Sequence, residues 1–168
     1  DFKKIKKLIQ FSINSEQMVI PQLIDTVYWM NSLIPGMANS MIEENPDIVI
    51  HSEILDLTNE QRKKIVDSLL EHFENFKITD INWSFYNHYH KLNNPDLSKQ
   101  IESYITDKTK NNLVRRNAID IAEVCKLKEL EESLLNIIYD STDDLSIRSN
   151  AACAIVKIGS KESRLKLK

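Results

Sequence analysis

Glycine and proline are scarce: 2 Gly and 4 Pro in 168 residues make 6 in all, about 4% of the chain against roughly 12% in average soluble proteins. Tight β-turns therefore have little raw material, and a barrel or sandwich is not expected. Gly36 and Gly159 stand alone, so neither a G-x-G-x-x-G fingerprint nor a G-x-x-x-x-G-K-[ST] phosphate cradle can be written. No run of about 18 apolar residues is present to span a bilayer, which predicts no membrane partner and a cytoplasmic location. Only two cysteines occur, Cys125 and Cys153, without a C-x-x-C or a histidine at ligand spacing; both read as reduced core residues. Charge is nearly balanced, with 22 basic and 25 acidic residues and a net charge of -3. Nucleic acid, which favours strongly basic domains, is an improbable partner. The start, Asp1-Phe2-Lys3-Lys4, lacks an initiator Met and an apolar signal core, which reads as an excised segment without a secretory address.

What is present is helical spacing from end to end. Val19, Ile20, Leu23, Ile24, Val27, Met30 and Leu33 recur at steps of three and four, predicting one helix over 16–33. Pro35-Gly36 marks a turn, a short helix is expected over 37–44, and Pro46 suits a first helical turn. The apolar run Ile48-Val49-Ile50 is too short to classify by period. Thr58 and Gln61 form a capping box for a helix reaching about Phe76, buried through Ile65, Leu69, Leu70, Phe73 and Phe76. The fold class expected is all-α, with nine or ten helices and no sheet.

The second half repeats itself. Val114-Arg115-Arg116-Asn117-Ala118 returns as Ile147-Arg148-Ser149-Asn150-Ala151, a shift of 33 residues. Asp107 falls on Asp140, Ile105 on Ile138, Leu134 on Leu167 and Lys128-Glu129 on Lys161-Glu162 under the same shift. One further step back places Phe85 under Ala118, Leu92 under Cys125 and Ile101 under Leu134, outlining a degenerate copy over about 81–107 that has lost the Arg. Copies then run over 108–140 and, incompletely, 141–168. Each would be two antiparallel helices stacking apolar faces on their neighbours, with Ala118, Ala122, Ala151, Ala152 and Ala154 permitting close approach. Asp107 precedes Arg115 by eight and Asp140 precedes Arg148 by eight, which predicts a structural ladder of Asp107–Arg115 and Asp140–Arg148 pairs between turns.

These features resemble a HEAT-type α-solenoid over about 81–168: helix pairs, an apolar-Arg-x-x-Ala opening and a preceding Asp. The first half, 1–77, has Pro21-Gln22-Leu23 through Trp29-Met30, Met37 to Glu44, Asn45-Pro46-Asp47-Ile48-Val49, Leu57, and Arg62 to Leu70 in order. That series is similar to the helical region following the ATPase core of NACHT-type STAND NTPases. The domains expected are thus 1–77, helical, and 78–168, repeats. The resemblance implies an interaction and sensing segment whose partner is a protein or another domain of its parent. The P-loop, Mg-binding motif and arginine sensor of that family match no position here, so no cofactor is expected in this segment.

Candidate chemistry is sparse. His88 and His90 sit two apart and point to different helix faces, which disfavours a zinc site. Trp83, Phe85, Tyr86 and Tyr89 with the two histidines read either as core packing, Phe85 and Tyr89 sharing a face, or as a protein-recognition patch exposing Trp83, Tyr86 and His90. Lys3, Lys4, Lys6 and Lys7 read as a solvated helix face. The pairs Glu43-Glu44, Glu131-Glu132 and Asp143-Asp144 are sequence neighbours, and no Ser/His/Asp or Cys/His signature accompanies them, so catalysis is not expected. A free-standing HEAT-like scaffold without ATPase is the alternative function. A nucleic-acid-processing or lyase-type enzyme would need a basic or ligand-lined groove, against ten Lys/Arg and nine Asp/Glu over 111–168.

Overall fold

The computed structural model describes residues 2–14, 16–54, 56–80 and 83–167. Helices dominate, and the chain forms two units, 1–69 and 70–168. The first begins with α1 (Phe2–Ile9), followed by a small antiparallel hairpin that corrects the expectation of no sheet within an otherwise mostly helical chain: β1 (Gln10–Ile13) pairs with β2 (Glu16–Val19), Gln10 opposite Val19 and Ile13 opposite Glu16. Asn14 takes a left-handed φ of 49° at the turn, a conformation asparagine tolerates. The helix predicted over 16–33 shrinks to α2 (Ile24–Leu33). Pro21 explains this. It has no N–H to give and pushes Ile20 to an extended ψ of 120°, which breaks a helical path at that step. Leu33, expected on the buried stripe, is exposed.

The expected helix over 37–44 is only a 3-10 turn, Ala38–Ser40, with turns after it, while Pro46 opens α3 (Pro46–His51) as its spacing predicts. Ile48, Val49 and Ile50 are all buried there, beside Val27, Met37, Met41 and Ile42 in the core of this unit. The capping box of α4 (Asn59–Glu74) forms as read: Thr58 N donates to Gln61 Oε1 at 2.8 Å and Gln61 N to Thr58 Oγ1 at 3.2 Å. The division between units falls inside α4, after Leu69. Phe76 lies beyond the helix end at φ 54° and is exposed, against its predicted place in the core.

In the second unit, a 3-10 stretch (Tyr86–Leu92) precedes α5 (Leu97–Thr106), α6 (Asn112–Val124), α7 (Glu131–Tyr139), α8 (Leu145–Ile158) and α9 (Lys161–Leu165). Helix α5 packs on α6, α7 on α8, and α6 on α8. The buried positions keep the 33-residue shift: Ile101 and Leu134, Val114 and Ile147, Ala118 and Ala151, Ile121 and Ala154 are all buried. So do the caps. Asn111 Oδ1 accepts from Val114 N at the start of α6, and Asp144 Oδ1 accepts from Ser146 N at the start of α8. The start of the degenerate copy, at 81, lies outside the described residues, as does the end of the last copy, Lys168. Among the described residues no helix is long and apolar enough to cross a membrane.

Candidate functional site

The Asp and Arg residues of the expected ladder recur structurally, but with other partners. Asp107 Oδ1 accepts from Thr109 N and Oγ1 at 2.8 and 2.7 Å, and Asp140 Oδ1 accepts from Thr142 N and Oγ1 at 2.9 and 2.7 Å. Each aspartate thus closes its own Asx turn. Each arginine instead reaches back ten residues: Arg115 Nε donates to Ile105 O at 3.2 Å, and Arg148 Nε to Ile138 O at 3.0 Å. These bonds satisfy carbonyls at the C-terminal ends of α5 and α7. A spacing of eight is therefore shared because both residues frame one turn, and not because they pair. Asp140 meets Lys108, and Arg115 forms a bidentate pair with Asp143. These contacts pull the Asp140 and Asp143 carboxyls below the ordinary carboxylate range, through hydrogen bonds from Lys108 and Arg115 respectively.

A cleft of about 500 Å³ lies elsewhere on the same unit, lined by Trp83, Tyr86, Asn87, Asp120, Glu123, Asn150, Cys153 and Lys157. Helix geometry builds it. On α6, Arg116, Asp120 and Glu123 fall at i, i+4 and i+7, and on α8, Asn150, Cys153 and Lys157 fall at i, i+3 and i+7, so each set forms one stripe. Asn87, Asp120 and Cys153 are 33 apart. A single position of the repeat frame thus lines the cleft three times. Cys153 is exposed there, against its predicted burial, and Cys125, half-buried, approaches Tyr89 O at 3.2 Å.

Two predicted patch residues meet at this cleft. Trp83, half exposed at φ 55°, packs edge-to-face on Tyr86 with ring centroids 6.4 Å apart. His90 is exposed and does not line the cleft; its Nδ1 lies 2.8 Å from Asn87 O. Phe85 and Tyr89 are buried and stacked, as their shared face predicts, so the aromatic cluster divides between core and surface.

The polar lining sorts into a closed network and an open one. Tyr86 donates its hydroxyl proton to Glu123 Oε1, and Lys157 Nζ donates to both the Tyr86 oxygen and Glu123. Lys157 also lies 5.3 Å from the Tyr86 ring centroid, and its pKa is raised by the Glu123 contact. Asp120 differs. It is 5% exposed, and its Oδ2 is buried without a hydrogen-bond partner. Burial pushes its pKa up to about 7, opposed by Arg116 and reinforced by Glu123 and Asp80. Arg116 itself lies over the Trp83 ring at 5.1 Å and gives Nη2 to Asp80 O at 3.1 Å. Asn150 Nδ2 is likewise buried without a partner, whereas Asn117, 33 residues earlier, donates to Leu113 O at 2.8 Å and accepts from Tyr89 OH at 2.6 Å.

Asp120, Glu123 and Lys157 carry no motif of their own in the sequence, and Asn150 enters there only as part of the 33-residue repeat. The signal was in the repeat frame itself, as the position shared by Asn87, Asp120 and Cys153. Among the described residues, no cluster of three or more His, Cys, Asp or Glu side chains is placed to hold a metal ion. In the first unit a groove of about 830 Å³ is lined by Tyr28, Trp29, Leu33, Ile34, Pro35 and Ile54 among others, with Trp29 and Leu33 exposed. The chain matches no protein-family model, no curated protein and no solved structure.

Proposed function

We propose that this chain is a non-catalytic recognition segment that receives a polypeptide in the cleft between Trp83, Tyr86, α6 and α8. The observation that carries the reading is the buried, unpartnered Asp120 carboxylate oxygen in the same cleft as the half-exposed Trp83 ring. Leaving such a group unpaired costs about 1–3 kcal/mol, a cost offset when a partner supplies the missing donor. Flat aromatic side chains at a cleft mouth supply binding area with little conformational freedom to lose. The recurring turns and carbonyl contacts at a 33-residue spacing support HEAT-like helix-pair repeats. With the order of motifs in the first half, they support a place within a cytoplasmic NACHT/STAND-type NTPase acting in signalling or defence.

Selection of a displayed random peptide library on the folded chain tests the recognition reading. Enriched peptides should lose binding at least tenfold on Trp83→Ala and remain bound by Trp29→Ala. Peptides insensitive to Trp83→Ala, or no enrichment over an unrelated helical protein, would overturn it. The NTPase part is tested in the parent reading frame, where a P-loop upstream of Asp1 is expected.

A further inference from the structure

Resting on that reading, we infer that the cleft is an arginine subsite: Asp120 accepts the guanidinium of an arginine residue in the bound polypeptide, and Asn150 donates to a carbonyl of the same peptide. Two independent observations point to this ligand. Asp120 is nine-tenths buried, lines the cleft and keeps one oxygen unpartnered, and the neighbouring Arg116, whose Nε is also unpartnered, gives it no hydrogen bond. Asn150 lines the same cleft, and its Nδ2 is buried without an acceptor. A simple cation answers only the first need. An arginine residue within a peptide answers both, because its side chain has five donors and its backbone supplies carbonyl oxygens. Lys157, which lines the cleft, already lies over the Tyr86 ring, 5.3 Å from its centroid. The cleft's charged lining groups, Asp120 and Glu123 against Lys157, sum to one net negative charge when all are ionised, which a guanidinium neutralises. The repeat frame gives the contrast: Asn117, at the position equivalent to Asn150, finds its partners within the protein. Asn150, which lines the cleft, leaves the same amide group without a partner.

The test is a nuclear magnetic resonance titration of the folded chain with three probes: N-acetyl-arginine methylamide, its neutral isostere N-acetyl-citrulline methylamide, and methylguanidinium. The arginine derivative should bind at least tenfold more tightly than the citrulline one and shift the Trp83 indole and Asn150 amide signals. Methylguanidinium should bind more weakly than the arginine derivative, separating a peptide source from a free cation. Asp120→Asn should remove the preference for arginine over citrulline. Because Asp120 must be ionised to pair, while Asp80, Arg116, Glu123 and Lys157 surround it, affinity should rise about tenfold from pH 6 to pH 8. Equal binding of arginine and citrulline derivatives overturns the inference, as does methylguanidinium binding as tightly as the arginine derivative. So does the lack of any saturable shift at about 20 mM, where a millimolar site is filled. The wild-type comparison needs no variant to fold. Neutral peptides selected in the cleft would leave the recognition reading standing and remove this one.

Discussion

Arg115 and Asp143 are 28 residues apart and meet through two parallel hydrogen bonds of 2.7 Å, each side chain 2% exposed. The pair joins the first turn of α6 to the turn before α8, while Arg115 also holds Ile105 O at the end of α5. Three helices thus share one guanidinium.

Breaking this pair strands a buried charge. Asp143→Asn and Arg115→Met should each lower unfolding free energy by about 3–5 kcal/mol, the range for removing one member of a buried ion pair. A double-mutant cycle should show strong coupling. Asp140→Ala and Arg148→Ala, by contrast, should combine additively to within about 0.5 kcal/mol, because they have separate partners. Denaturant melts of both cycles measure this, and coupling between Asp140 and Arg148 would contradict the contacts described.

Acid and base should act on stability through different aspartates. Asp143, its pKa lowered by Arg115, contributes stability present above the unfolded carboxylate value near 4 and lost as pH falls through its lower folded value. Asp120, raised to about 7, works in the opposite sense: the folded state binds more protons between about pH 4 and 7, so stability declines as pH rises across that window. The full shift of roughly three units corresponds to about 4 kcal/mol. Asp120→Asn should flatten this slope and be more stable than the unsubstituted chain at pH 8, by a few kcal/mol. Melts across pH 3–9 give both signs, and an unchanged slope in Asp120→Asn would contradict the assignment.

Much of this architecture was legible in the residues because it depends on local rules. The Thr58 and Gln61 box, Pro46 at a first turn and the 33-residue register of buried apolar positions all follow from spacing. The hairpin was not legible, because Val19 and Ile20 fit the helical stripe that runs on through Leu23 and Ile24 until Pro21 is allowed to break it. Phe76 was misplaced because a left-handed residue past a helix end leaves no periodic mark. The aspartate–arginine ladder failed for another reason. Recurrence shows that two positions serve the repeat, not that they touch, and the partner of Arg115 lies one copy on, at Asp143. Of the cleft, Trp83 and Tyr86 were legible as aromatic surface, whereas Asp120 and Asn150 became candidates only once their missing partners were visible.

The start of α4 offers a local check on the first unit. Thr58→Ala removes the acceptor for Gln61 N and should cost about 1 kcal/mol. Gln61→Ala removes the reciprocal bond to Thr58 N, and because the box acts as a unit the double variant should cost less than the sum of the two single ones. Thermal melts of the two single variants and the double variant read this directly.

The central claim is that recognition occurs at the cleft of the second unit, and the most direct measurement is an amide chemical-shift map of the chain with a library-selected peptide bound. The account predicts that the largest shifts fall on Trp83, Tyr86, Asn87, Asp120, Asn150, Cys153 and Lys157, the residues that line the cleft together. Shifts concentrated instead on Trp29, Leu33 and Ile34, in the groove of the first unit, would contradict it.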